Sequence, residues 1–329
     1  MESLSPALFD SPAAFRGADL ASRADAFTHV LSSDELGAIE RLVERLERIG
    51  KPASALTRDD ALLEEDLARA VATWRKALAH GLGFVLVRGL PVHQMSEEEA
   101  TLAYWALGVH LGTPAPQNIQ GELLTHVRDT GADPGLPSTR LYTTRAEQDF
   151  HTDGADIIGL LCLRTARSGG LSRIVSSIAV IDAVHTRRPD LARVLFEDFP
   201  WHYHETGMPA PIWFTRPVCS IRGGRLNTFF IAWYIRRSQE IDGAPRLRPD
   251  QEEAIRLVEA IANDPALYLD MEFRPGDIQI LKNSVVLHKR TAYEDWDAPA
   301  EKRHLLRLWL AAPDFDDGDE QLRRGIVEG

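Results

Sequence analysis

Between about residues 122 and 311 the chain reads as a run of short apolar and β-branched segments, each closed by a turn, with only two helical interruptions. Strands are expected over 123–127, 157–164, 173–177, 217–221, 226–230, 268–273, 277–281 and 305–311, and helices over 178–196 and 249–262. Strands spaced this closely, without a helix between each pair, make an antiparallel sandwich or barrel rather than a parallel sheet. That spacing is the strongest constraint on the fold. The connection 129–148 breaks it, being rich in Gly, Pro, Asp, Thr and Arg. Structureless loops longer than roughly 12 to 15 residues inside a compact domain usually act as lids or binding loops.

The first hundred residues follow a different period. Ser32 with Glu35 fits a capping box ahead of an amphipathic stretch over 36–49, and 62–79 repeats the pattern. A third helix starts at Ser96, with Glu99 three residues on and Leu102, Trp105, Ala106 and Val109 at helical spacing. Between the second and third helices lies 83–89, a β-branched and aromatic run bounded by glycines, which reads as a buried strand. The N-terminal part is therefore helices laid against a sheet.

Composition narrows the partners. With 37 Lys and Arg against 49 Asp and Glu, the net charge is −12, which repels phosphate backbones, and no basic run offers a local exception. Nucleic acid is not expected as a partner. Two cysteines exclude a disulfide scaffold, and Cys162 falls in the apolar run 157–163, where a thiol acts as a small hydrophobe. Neither a signal-like start nor a run of about 18 apolar residues occurs, so no membrane partner is expected and the location is expected to be cytoplasmic. The acidic run 314–320 reads as solvated surface.

The chemistry starts at Asp149-Phe150-His151-Thr152-Asp153-Gly154. Residues two apart in an extended strand face the same side, so the imidazole of His151 and the carboxylate of Asp153 converge on one point. Of the eleven histidines, only His151 has an acid two positions downstream. Two histidines and one carboxylate, with other positions open, form the facial triad of non-haem Fe(II) oxygenases, so a second histidine must come from elsewhere. His288 supplies it, after a turn at 274–277, a strand, a polar kink at Asn283 and Ser284, and Val285-Val286-Leu287. Alone, such a histidine is more often a core residue. The next strand changes the balance, because Arg303, Leu305, Arg307 and Trp309 share one of its faces. Arginines alternating with large apolar residues need an anionic partner when buried, and a guanidinium meets a carboxylate bidentately.

The order His-x-Asp, then Gly169-Gly170-Leu171-Ser172, then the run from Gly276-Asp277 through Asn283 to His288, then Arg303-x3-Arg307, resembles the TauD/TfdA family of Fe(II)/2-oxoglutarate dioxygenases over roughly 80–312. The resemblance implies an α+β chain with a mainly β core: a double-stranded β-helix, a jelly-roll, cupin-like barrel flanked by helices. It makes 1–329 a single catalytic domain, with 1–80 a helical annex, 81–312 the jelly-roll core and 129–148 the active-site lid. His151, Asp153 and His288 are then the iron ligands and the catalytic centre. Arg307, placed by aligning its strand, takes the distal carboxylate of 2-oxoglutarate with Ser172, and Arg303 supports it. Asn283 is a turn residue beside the last ligand.

The implied cofactors are Fe(II), 2-oxoglutarate and O2, and the implied reaction oxidises an unactivated C–H bond of a small organic acid, amino acid or related secondary metabolite, releasing succinate and CO2. With Asp at position 153 no ligand site is left for chloride, so hydroxylation, desaturation or ring formation is expected rather than halogenation. The partner is a small-molecule substrate, and self-association into a homo-oligomer stays open. Candidate substrate residues are Asn118, His126, Arg128, Tyr142 and Phe230, with Gln117 and Thr144 beside them and a second wall from Trp201 to His204 or from Phe229 and Trp233. Arg236 and Arg237 read as a solvated pair. Two other classes fit the same residues: a cupin-like lyase, isomerase or hydrolase without 2-oxoglutarate, and a catalytically silent barrel acting as a binding module.

Overall fold

A computed structural model describes residues 4–136, 139–204 and 208–315, so most of the acidic run and two residues of the 129–148 loop lie outside the described residues. Its core is two facing sheets. The larger has seven strands, in the order Thr28–Val30, Phe84–Arg88, Ile278–Lys282, Ile157–Arg164, His304–Ala311 and Thr113–Pro114, with Leu124–Val127 also paired to His304–Ala311. The smaller runs Leu269–Met271, Ser172–Ser176, Val286–Arg290 and Gln148–His151. Every pairing in these two sheets is antiparallel except the first, between Thr28–Val30 and Phe84–Arg88.

The helices form where the sequence supplies caps. Ser33–Ile49 and Glu97–Leu111 both open on complete capping boxes, Ser32 with Glu35 and Ser96 with Glu99. Together with Glu65–His80 they cover the outer face of the large sheet, burying Leu42, Trp74 and Trp105 against Leu161, Leu306 and Leu308. The inner face meets the small sheet through Phe150, Ile158, Ile174, Leu305 and Trp309. All eight residues of His304–Ala311 are therefore buried, the odd ones facing into the barrel and the even ones facing the helices. This alternation carries Arg303 and Arg307 to the inside.

Two expectations change in detail. The helix read over 178–196 is two, Ser177–Arg187 and Pro189–Val194, because Pro189 has no N–H to continue the first. The strand read over 217–221 is the end of one hairpin and the start of another: Ile212–Pro217 pairs with Asp198–Tyr203, and Cys219–Arg222 pairs with Arg225–Thr228. Among the described residues no helix is long and apolar enough to cross a membrane.

Candidate metal centre

Two neighbouring strands of the small sheet carry the histidines. His151 ends Gln148–His151, His288 sits in Val286–Arg290, and the register pairs them directly, with ring centroids 4.2 Å apart. Asp153 follows two residues after His151, in a turn clamped by Asn283, whose amide accepts from Asp153 N at 2.9 Å and donates to Asp153 O at 2.7 Å. The three side chains bring one ligand atom each to within 4.8 Å of one another, and all three are buried. His151 Nε2 lies 3.9 Å from Asp153 Oδ1, and His288 Nε2 lies 3.7 Å from Asp153 Oδ2.

The donor set suits a divalent ion. His151 Nδ1 donates to the Asp149 carbonyl at 2.7 Å, which fixes the tautomer and leaves the Nε2 lone pair facing inward, where it accepts from the Gln148 amide at 2.9 Å. Burial, reinforced by the neighbouring His288, drops the His151 pKa to about 3, so the ring is a neutral ligand at working pH. Burial opposes ionisation of Asp153, but the Arg307 guanidinium and the two imidazoles outweigh it and hold the carboxyl below the usual range. Arg307 donates to Asp153 Oδ2 at 3.2 Å and the Trp309 indole donates to the same oxygen at 3.1 Å. A neutral His151 imidazole, the His288 imidazole and one ionised carboxylate thus meet at one point, with protein groups orienting His151 and Asp153.

Two chambers open from this point and share Tyr142, Gln148, His151, Asp153 and Arg307. The deep one is completed by Ser172, Phe273, His288, Arg290, Arg303 and Leu305. Arg303 and Arg307 are each only 5% exposed, yet Arg303 NH1 and Arg307 NH2 have no hydrogen-bond partner among the described residues. Such buried N–H groups are costly unless a ligand supplies the acceptor. The outer chamber is lined by Arg140, His204, Trp233, Tyr234 and Arg237.

Tyr142 lines both chambers, 4.7 Å beneath the Arg307 guanidinium. The other candidate substrate residues line neither chamber. Asn118 closes a turn onto Glu122, with bonds of 2.6 and 3.1 Å. His126 pairs with Leu306, an outward-facing position, so strand alternation turns it away from the barrel interior. Arg128 is exposed, and Phe230 is fully buried in the core while its backbone bonds Thr152. Gln117 bonds Arg307 at both ends, accepting from Nε at 2.8 Å and donating to the carbonyl at 2.9 Å. Arg237, read as surface, lines the outer chamber, whereas Arg236 pairs with Glu259 at 2.7 Å. Gln148, Arg290 and Arg237 carried no spacing signal, because their roles depend on which strand or helix folds beside them.

Outside the barrel, Glu97, His126 and His304 also bring ligand atoms within 4.8 Å, but Arg164 donates to His304 Nδ1 at 2.9 Å and puts a cation in the cluster. Burial, then His126 and Arg164, lower the His304 pKa to about 3. Between that value and the unfolded value near 6.5 the unfolded chain binds more protons, so this residue's contribution is fully present above about pH 6.5 and is lost as pH falls toward 3. His304→Gln is expected to shrink the stability difference between pH 7.5 and pH 5 by on the order of 1 kcal/mol after allowance for solvent screening, read from urea midpoints at the two pH values.

The profile of the Taurine catabolism dioxygenase TauD, TfdA family matches residues 47–309. FR-33289 synthase from Streptomyces rubellomurinus (strain ATCC 31215) is 29% identical over 295 residues, 87% of this chain and 86% of that protein. Taurine hydroxylase-like protein SAT17 from Stachybotrys chartarum (strain CBS 109288 / IBT 7711) is 31% identical over 239 residues, covering 69% of this chain and 60% of that one. Among solved structures, asparagine oxygenase in complex with Fe(II), 2S,3S-3-hydroxyasparagine and succinate superposes with a TM-score of 0.69 at 17% identity, covering 86% of this chain and 93% of that chain, which establishes the shared double-stranded β-helix fold.

Proposed function

We propose, on the premise that this chain belongs to the taurine catabolism dioxygenase TauD, TfdA family, that His151, Asp153 and His288 hold the ferrous ion and that the deep chamber holds the cosubstrate. The protein is a non-haem iron dioxygenase dependent on Fe(II), 2-oxoglutarate and O2. The observation that carries the site assignment is the buried two-histidine, one-carboxylate cluster at the mouth of a chamber lined by guanidiniums. When bound, the iron and 2-oxoglutarate activate O2, with oxidation of a substrate C–H bond and release of succinate and CO2.

The chain's own residues position and shield. Asp149 O orients the His151 ring, and Trp309 and Arg307 fix Asp153, so these two ligands are oriented before binding, while the Gln148 amide holds the Nε2 lone pair that the ion would take. The sequence assigns the distal carboxylate to Arg307, but the geometry favours a different division of labour. Arg307 is bonded to a ligand oxygen, so it sits at the metal end, beside the carboxylate that would share the ion. Arg303 packs at the other end, where a methyl added to Gly170 would lie 3.1 Å from its Nε, and where Ser172 also lines the chamber. Arg303 with Ser172 is thus the better anchor for the distal carboxylate.

The substrate occupies the outer chamber, beneath the described part of the 129–148 lid, with Tyr142 as the partition. Arg140, Arg237 and His204 on that wall suit a small metabolite bearing an anionic group, with Trp233 and Tyr234 packing its apolar part. Hydroxylation, desaturation and ring formation all start from the C–H oxidation this site performs. Ferrous chemistry and two unpaired buried cysteines suit a reducing cytoplasm.

Anaerobic addition of 2-oxoglutarate to the Fe(II)-loaded protein is expected to produce a weak visible charge-transfer band. A screen of small acids and amino acids under Fe(II), ascorbate and O2 should then find substrates by succinate release. A protein that holds iron but shows no band would sink the chelation reading.

A further inference from the structure

Arg290 stands in a position that the ligand set does not explain. It lies two residues after His288 on the same strand, so its side chain leaves on the same side, roughly 7 Å further along at about 3.4 Å per residue. Across the sheet, Arg290 is the register partner of Ser172, just as His288 is the partner of His151. Val286–Arg290 thus pairs His288 with one neighbouring strand at the metal and Arg290 with its other neighbour beside Ser172.

The side chain is 8% exposed, and its Nε and NH1 have no hydrogen-bond partner among the described residues. NH2 alone is occupied, donating to the carbonyls of Leu141, at 3.2 Å, and Ala146, both in the lid segment. Arg303 comes from the opposite sheet to the same place: its guanidinium lies 5.1 Å from the Tyr293 ring centroid and that of Arg290 lies 5.2 Å from it. Neither makes an ion pair among the described residues. Two buried cations with three unbonded donor nitrogens between them are unfavourable unless an anion enters. A carboxylate offers about four acceptor positions, which accommodates all three donors.

We propose that Arg290 is a specificity-determining residue that binds the far carboxylate of the cosubstrate jointly with Arg303, while its third nitrogen is held by the lid. This rests on the placement of the cosubstrate in the deep chamber. Selection of a diacid over a mono-acid then depends on two guanidiniums rather than one. The lid contributes indirectly, since its carbonyls orient the Arg290 fork toward the chamber.

The test compares 2-oxoglutarate with 2-oxopentanoate, which keeps the chelating end and replaces the far carboxylate by a methyl group. Both are titrated anaerobically into the Fe(II)-loaded full chain, with the charge-transfer band and the Tm shift as readouts. The parent is expected to prefer the diacid by at least a hundredfold. Arg290→Met should reduce that preference tenfold or more by weakening the diacid alone, and Arg290→Lys should restore part of it. Equal weakening of both acids would mark a purely structural role and overturn the proposal. Should Arg290→Met misfold, the Lys variant still decides, since it keeps the charge and loses the fork, and an unchanged preference overturns the proposal. If Arg303→Met collapses the preference and neither Arg290 variant alters it, the cosubstrate reading stands and this proposal falls. If no variant alters it, the placement of the cosubstrate falls with it.

Discussion

His288→Ala is expected to remove iron from the protein and abolish succinate release while leaving the barrel folded. Loss of a group that merely orients a metal ligand weakens affinity by roughly ten- to a hundredfold, so loss of a ligand itself should cost at least the upper end of that range. His288 forms no hydrogen bond through its buried Nδ1 among the described residues and meets Asp153 only at 3.7 Å through Nε2, so its truncation removes less of the apo fold than that of Asp153. Asp153→Ala should lose iron equally but cost far more stability. Its carboxylate is the anion against which Arg307 is buried, and stranding one member of a buried pair costs about 3–5 kcal/mol. The two variants therefore separate a pure ligand from a ligand that is also an electrostatic partner. Iron analysis and thermal unfolding check both, and either variant retaining stoichiometric iron would remove that residue from the centre.

That contrast also shows what the sequence could and could not reveal. His151 and Asp153 were legible because strand period fixes the relation of residues two apart, and this holds wherever the strand goes. His288 was legible only in combination, since a histidine behind three apolar residues has no local mark of function. The inward face of Arg303 to Trp309 was legible from alternation, and the helical caps at Ser32 and Ser96 from residue type. Long-range pairing is where local reading fails. His126 stands on an alternating strand like the others, but which face turns inward depends on its pairing with Leu306, about 180 positions away. Arg236 and Arg237 read alike in the sequence; a six-residue helix, Ala232–Arg237, pairs the first with Glu259 and turns the second to the chamber. Nor does local spacing mark the bond between Arg307 and Asp153, 154 positions apart. No local signal marks Arg290 either, since its pairing with Ser172 is set by the sheet register.

Asp277→Ala is expected to destabilise the protein by about 3–5 kcal/mol, a fall in Tm on the order of 10 °C, although Asp277 lies outside the metal centre. The Gly-Asp pair that helps identify the family is structural here. Arg274-Pro275-Gly276-Asp277 is a turn closed by Asp277 N to Arg274 O at 3.0 Å, with proline second and a positive-φ glycine third. Gly276 has φ +90°, and a methyl on it would lie 1.9 Å from the Leu90 carbonyl oxygen, a backbone atom that no rotamer change can move aside. The turn launches Ile278–Lys282, the strand that joins Phe84–Arg88 to Ile157–Arg164. Asp277 itself is fully buried and accepts from Arg88 Nε at 2.9 Å and NH2 at 2.7 Å, and from Arg274 N at 2.9 Å. Removing the carboxylate strands the Arg88 guanidinium and one backbone N–H. Because the unpaired charge carries most of the penalty, adding Arg88→Met to Asp277→Ala should recover part of the loss, so the double variant unfolds at higher denaturant than Asp277→Ala alone. If the single variant keeps the parent midpoint, the pair is not what fixes this strand. If the double variant is as unstable as the sum of the two singles, the penalty lies in packing rather than charge.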